Sequence, residues 1–136
     1  ERLPAEATAA YEALDRRLLT LATADGWLDG STALLAAIKG DKLRILQVGD
    51  CQAVLCSPFG AQPLATEHRP EAQTEAIRLK ELGAAVEFGR VNGLSVTRTF
   101  GDSDSKARGP GIVPTPEVVP LITFSSVDEV LLLGCD

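Results

Sequence analysis

Two carboxylates stand just after apolar stretches that end in glycine: Asp50 in Gly49-Asp50, and Asp136 in Gly134-Cys135-Asp136. A carboxylate at a strand end projects from a rigid sheet. Two that converge offer hard oxygen ligands of the kind that Mg²⁺ or Mn²⁺ prefers. Aspartate is also a common turn former, so the plainer reading of each residue alone is a side chain capping nearby backbone amides. Both readings stand at this point. Other chemistries find no support, since the chain has no G-x-x-x-x-G-K, G-x-G-x-x-G, H-E-x-x-H or G-x-S-x-G pattern. His68 is the one histidine, and Cys51, Cys56 and Cys135 follow no zinc spacing. "DSDSK" (Asp102 to Lys106) opens like a calcium loop but puts Lys106, Ala107 and Val113 where a ligand, a glycine and a glutamate belong.

The elements that would position these aspartates follow from the apolar pattern. Pro4, then Ala7, Tyr11, Leu14, Leu18 and Leu21 predict a helix over residues 5–23 with one apolar face. Two Asp-Gly pairs in "ADGWLDGS" end it. Residues 32–38 and 43–48 read as a hairpin with Gly40-Asp41 at its tip, and "CQAVL" as a third strand of the same antiparallel meander, closed by Ser57-Pro58-Phe59-Gly60. A second helix is expected from Pro70 to Leu82, with Gly83 just beyond it. Asn92-Gly93 fits a type I′ turn between the strand-like runs "VEFGRV" and "LSVTRTF". The polar segment from Gly101 to Pro116 reads as an exposed loop, followed by a strand at Glu117 to Ile122. The last run, Val130 to Leu133, has the pattern of a strand buried on both faces. A strand of that kind at the very end, in a sequence with no methionine, leads us to expect the middle piece of a longer protein.

Composition bounds the rest. The chain's 136 residues are 45% hydrophobic and 4% aromatic, enough for one small domain with an aliphatic core. A net charge of −6 argues against nucleic acid or an anionic membrane as partner. Three cysteines with no disulfide pattern fit a reducing, cytoplasmic or nuclear setting.

A series of short strings then acquires meaning from its order: "DGSTALLAAI" (Asp29 to Ile38), "LQVGDCQAVL" (Leu46 to Leu55), "EHRP" (Glu67 to Pro70), "EAIRLKELGAAV" (Glu75 to Val86), "RVNGLSVTRTFGD" (Arg90 to Asp102), "PEV" (Pro116 to Val118) and "DEVLLLGCD" (Asp128 to Asp136). In order and spacing they resemble the motifs of the metal-dependent serine/threonine protein phosphatases of type 2C, the PPM family. The resemblance implies an α+β fold: a sandwich of two mainly antiparallel sheets flanked by antiparallel helices, here incomplete at both ends. It implies a Mn²⁺ or Mg²⁺ centre at one end of the sandwich, where a metal-activated water attacks the phosphorus of phosphoserine or phosphothreonine. Asp136 would match the family's metal-ligating aspartate, and Asp50 the aspartate that joins it in holding a further, weaker metal. The segment from about 67 to 96 would match the family's flap beside the active site, where Arg78, Lys80, Arg90 and Arg98 either face a phosphopeptide or, for Arg78 and Lys80, form a solvated helix face.

The departures are as informative. The family's Asp-Gly-His-Gly motif, an earlier phosphate-binding arginine and a later Asp-Asn pair do not occur in these residues. No catalytic residue is therefore assigned, and the segment alone is expected to be inactive. Cys51-Gln52 replaces a usual Ser-Arg, which signals either a lost ion pair near Asp50 or, as we favour, a variant strand edge. His68 is read as a loop residue, and Cys135 as a small buried hydrophobe. Partners implied are a phosphoprotein substrate or a regulatory protein. Self-association through exposed apolar surface, notably along Tyr11, Leu14 and Leu18, is also expected. The alternative to an enzyme is a pseudophosphatase, the same sandwich without its full ligand set, serving as a protein-binding module.

Overall fold

A computed structural model of the chain describes residues 2–128 and 130–135. The expectation placed on Asp136 therefore falls outside the described residues, as do Glu1 and Glu129.

Helix α1 (Leu3–Asp25) carries Pro4 in its first turn, where the missing N–H has no helical partner to lose. It closes at Gly26, whose φ of 75° directs its N–H back to the Ala22 carbonyl. Its inward stripe is Ala7, Tyr11, Asp15, Leu18 and Ala22, with Tyr11 tilted against Phe100 at a centroid distance of 5.2 Å. Leu14 and Leu21, expected on that face, are 48% and 42% exposed. The cause is Asp15, whose carboxylate accepts bonds from Lys106 Nζ at 2.7 and 2.8 Å and from the Gly101 N–H at 2.8 Å. This polar anchor sets the rotation of the helix ahead of two leucines.

After β1 (Gly30–Ser31), strands β2 (Ala33–Lys39) and β3 (Lys42–Val48) form the expected hairpin, in register from Lys39↔Lys42 to Ala33↔Val48. Strand β4 (Gln52–Ser57) does not extend that sheet. It pairs instead with β5 (Gly60–Pro63), a strand the sequence reading missed, and with the closing strand. The break is at Gly49, whose φ of 97° turns the chain from one sheet into the other. A Cβ there would collide with the side chain of Thr32. Leu43 and Ile45 of β3 consequently meet Ala53 of β4 in one core cluster. A flat three-stranded meander could not bury these residues against each other.

Helix α2 (Gln73–Glu81) starts three residues later than Pro70, because Ala72 keeps extended backbone at φ −63° and ψ 131°. Strands β6 (Val86–Glu87) and β7 (Arg90–Val91) pair across Phe88-Gly89, whose φ angles of 51° and 72° supply the positive pair that an I′ turn needs. "VEFGRV" is thus itself a hairpin. Asn92-Gly93 makes a second such turn, at 52° and 94°, closed by reciprocal 2.9 Å bonds between Val91 and Leu94. Most of "LSVTRTF" is irregular, and the run ends in β8 (Phe100–Gly101), the partner of β1. The expected loop contains helix α3 (Ser103–Ala107), drawn inward by Lys106 and a buried Ser105. The expected strand over 117–122 is two, β9 (Glu117–Val118) and β10 (Ile122–Thr123), both paired with β3 and interrupted at Pro120, which has no N–H for a ladder.

The closing strand, β11 (Val130–Gly134), occupies the edge of the order β11-β4-β5. Its expected burial on both faces is not found. Val130, Leu132 and Leu133 are 47%, 54% and 49% exposed, and Leu131 alone packs against the shared core. That core joins Leu34, Ala36, Leu43, Ile45 and Ile122 of one sheet to Ala53 and Leu131 of the other. The result is a sandwich of two antiparallel sheets with helices, an α+β fold.

Candidate functional site

The turn that carries Asp50 is held by several buried hydrogen bonds at Gly49, from residues whose role the sequence did not reveal. The Gly49 N–H donates to His68 Nδ1 at 3.0 Å, and the Gly49 carbonyl accepts from the His68 N–H at 2.9 Å and from Gln47 Nε2 at 3.1 Å. Gln47 Nε2 also reaches the Thr66 carbonyl at 3.1 Å. His68 is 2% exposed. Because Nδ1 accepts, the ring proton sits on Nε2, facing Glu117 Oε2 at 3.6 Å. Burial pushes the Glu117 carboxyl up, but His68 and the Thr66 N–H at 3.2 Å outweigh it and hold the group below its ordinary range. His68 is therefore a structural clamp with no free face for proton transfer. Its position in a loop was legible, its role was not.

Behind the clamp lies a second polar knot. The His68 carbonyl accepts from the Thr97 N–H at 2.8 Å and from Thr97 Oγ1 at 3.0 Å. Thr97 Oγ1 also lies 2.5 Å from Glu75 Oε2. Glu75, fully buried, pairs with Arg98 Nη2 at 2.5 Å and with Arg78 Nη2 at 2.7 Å. Burial opposes ionisation of Glu75, yet the hydrogen bonds from Arg98, Arg78 and Thr97 prevail and lower its pKa to about 2. Arg78 also donates to the Gly111 carbonyl at 2.9 Å, and Arg98 to the Thr115 carbonyl at 3.0 Å. Neither arginine is available to a phosphopeptide, and Arg78 is not the solvated residue the helix pattern suggested. Lys80 and Arg90 are exposed, with Arg90 Nη1 on the Gly93 carbonyl at 3.0 Å.

Asp50 itself is 8% exposed at its side chain and pairs with Arg69 Nη2 at 2.7 Å. The same guanidinium donates from Nε to Glu67 Oε2 at 2.8 Å, while Gln52 Nε2 binds Glu67 Oε1. The hydrogen bond to Glu67, with Asp50 adding its charge against a modest desolvation, raises the Arg69 pKa further above its ordinary value. Gln52 stands where the resemblance expects an arginine, and Asp50 has its arginine partner in Arg69. The signal was in "EHRP", where Glu67, His68 and Arg69 all turn out to serve this one loop.

Asp50, Gln52, Glu67 and Arg69 share a cavity of about 310 Å³ with Gly134 and Cys135, the end of β11. The pairing of β11 with β4, from Val130↔Cys56 to Gly134↔Gln52, carries Gly134 close to the turn that bears Asp50. Cys135 is exposed there, where the sequence reading expected it buried. Cys51, by contrast, is buried with its Sγ 3.2 Å from Thr32 Oγ1.

The carboxylate oxygens in this cavity suit a hard divalent cation. Among the described residues, no three of His, Cys, Asp and Glu group closely enough to hold a metal ion.

Comparison with known proteins decides the family. The family model of protein phosphatase 2C matches residues 4–136. The chain belongs to the protein phosphatase 2C family. Probable protein phosphatase 2C 2 of Oryza sativa subsp. japonica is 42% identical over 112 residues, 79% of this chain and 29% of that protein. Protein phosphatase 2C homolog 2 of Hypocrea jecorina is 34% identical over 133 residues, 93% of this chain and 30% of that protein. Among solved structures, a C. elegans sex determining protein superimposes with a TM-score of 0.77 at 30% identity, over 94% of this chain and 32% of that one. The serine-threonine phosphatase 2C of Toxoplasma gondii gives 0.76 at 19% identity, over 96% and 49%, and shows the shared fold. The chain thus spans about three tenths of the length of the two curated protein phosphatase 2C relatives.

Proposed function

We propose that the chain is part of a metal-dependent protein serine/threonine phosphatase, and that Asp50 and Asp136 bind one divalent cation, Mn²⁺ or Mg²⁺. The observation that carries this reading is the cavity shared by Asp50 and the end of β11, which brings Gly134 and Cys135 beside the Asp50 turn. A bound divalent ion supplies charge neutralisation and Lewis acidity toward a phosphoryl group. The chain's own part is to hold the backbone of the Asp50 turn at Gly49 through Gln47 and His68, so that the turn keeps its shape when an ion binds. The substrate class is a phosphoserine or phosphothreonine protein. Three unpaired thiols support a reducing, cytoplasmic or nuclear setting. The exposed Leu35, Ile38, Leu132 and Leu133 favour self-association of the isolated chain.

These 136 residues alone do not hydrolyse phosphoesters on this reading, since they contain no Asp-Gly-His-Gly motif. The test is phosphate release with Mn²⁺. The longer protein should dephosphorylate a phosphothreonine peptide, Asp50→Asn should require more Mn²⁺ for half-maximal rate, and the isolated chain should be silent. Mn²⁺-dependent release of p-nitrophenol from p-nitrophenyl phosphate by the isolated chain would contradict the proposal. A pseudophosphatase acting as a protein-binding module is the second reading. It predicts a longer protein that is folded and silent in the same assay.

A further inference from the structure

Arg69 has an unusual place for a half-exposed cation. One guanidinium bridges two carboxylates, Nη2 on Asp50 at 2.7 Å and Nε on Glu67 at 2.8 Å, inside the cavity that the end of β11 also lines. We propose that Arg69 is an exchangeable internal cation, which occupies the Asp50 and Glu67 carboxylates and must yield Asp50 when a divalent ion binds there. This rests on the reading of Asp50 as a metal ligand.

The physical case is one of charge. Two carboxylates lining one cavity repel unless a cation stands between them. Arg69 meets that need with geometry its planar fork is suited to, satisfying both partners at once. A divalent ion meets it with more charge and less steric demand, but it needs the same Asp50 oxygens that Nη2 engages. The two cations therefore compete for one carboxylate. The arrangement also allows the exchange. Arg69 is 34% exposed and Glu67 35%, so the guanidinium can leave Asp50 while its Nε stays on Glu67. The remainder of the turn need not move, because Gly49 is fixed by Gln47 and His68 independently of Arg69. Gln52, on the other oxygen of Glu67, holds that carboxylate as the docking post for the released side chain.

The consequence is a metal site whose affinity is set below what its carboxylates would give alone, and which keeps its shape when the metal departs. Calorimetric titration of the chain with Mn²⁺, on wild type, Arg69→Gln and Asp50→Asn, tests this without reference to catalysis. Arg69→Gln removes the competing charge while keeping hydrogen-bonding capacity, and should bind Mn²⁺ about tenfold more tightly than wild type. Its melting temperature without metal should fall and be restored by Mn²⁺, whereas that of wild type should respond less. Unchanged or weaker Mn²⁺ binding by Arg69→Gln, with a native far-ultraviolet spectrum, overturns the inference. Asp50→Asn separates the two claims. If it abolishes Mn²⁺ binding while Arg69→Gln has no effect, Asp50 is a ligand and Arg69 is no competitor. If Asp50→Asn leaves Mn²⁺ binding intact, the metal reading of Asp50 falls and the exchange falls with it.

Discussion

Glu75 offers a perturbation whose size can be worked from the structure. Its carboxylate is fully buried and accepts from Thr97 Oγ1, Arg78 and Arg98, and these bonds lower its pKa from 4.5 to about 2. A group depressed on folding stabilises the native state above its unfolded pKa, and that stability is lost as pH falls through the folded value. A displacement from 4.5 to about 2 corresponds to roughly 3 kcal/mol, fully present at pH 7 and vanishing between about pH 5 and pH 2. Glu75→Gln keeps the shape but leaves Arg78 and Arg98 as partly buried, uncompensated cations, so the expected loss at pH 7 is about 3 to 5 kcal/mol. Urea unfolding of both proteins, followed by circular dichroism at steps from pH 7 to pH 2, is the assay. Other carboxylates titrate alike in wild type and variant, so the difference between the two isolates Glu75. That difference should shrink as the pH falls below about 5. A difference under 1 kcal/mol at pH 7, or one that stays constant down to pH 2, would refute the reasoning.

Three further outcomes are expected. His68→Leu removes the acceptor for the buried Gly49 N–H and should cost about 1 to 3 kcal/mol in thermal unfolding, with a parallel loss of Mn²⁺ affinity because the Asp50 turn is released. Asp15→Ala strands Lys106 and the Gly101 N–H and should destabilise by about 3 to 5 kcal/mol; a double variant with Lys106→Met should recover part of that loss in the same melt. Phe88, fully exposed at φ 51°, should be better as asparagine, with Phe88→Asn raising stability by up to about 1 kcal/mol and leaving the hairpin spectrum unchanged.

What could be read from the sequence divides along a physical line. The β2–β3 hairpin was legible because its register is set by a two-residue turn at Gly40-Asp41 within a continuous apolar pattern. Helix α1 was legible in extent, but its inward face was not. Periodicity gives the apolar stripe, and the choice between Leu14 and Asp15 is made by Lys106, ninety-one residues away. The transfer of β4 to the second sheet was hidden for a related reason. Alternation shows that a strand has a buried face, and says nothing of whether its neighbour lies beside it or across the core. At the candidate site, Asp50 could be found from its place after a strand and a glycine. Gln47, His68 and Arg69 could not, since each acts through a partner nineteen residues distant or through a backbone atom, and Glu67 acts through Gln52, fifteen residues away, and Arg69. Family resemblance marked the string "EHRP" without giving its work.

The central claim is that Asp50 and Asp136 together bind one divalent cation. Anomalous diffraction from crystals of the longer protein grown with Mn²⁺ tests it most directly. A manganese peak within coordination distance, about 2.0 to 2.3 Å, of carboxylate oxygens from both residues is the predicted result. A map in which Asp50 remains on Arg69 while every manganese peak lies elsewhere would contradict it.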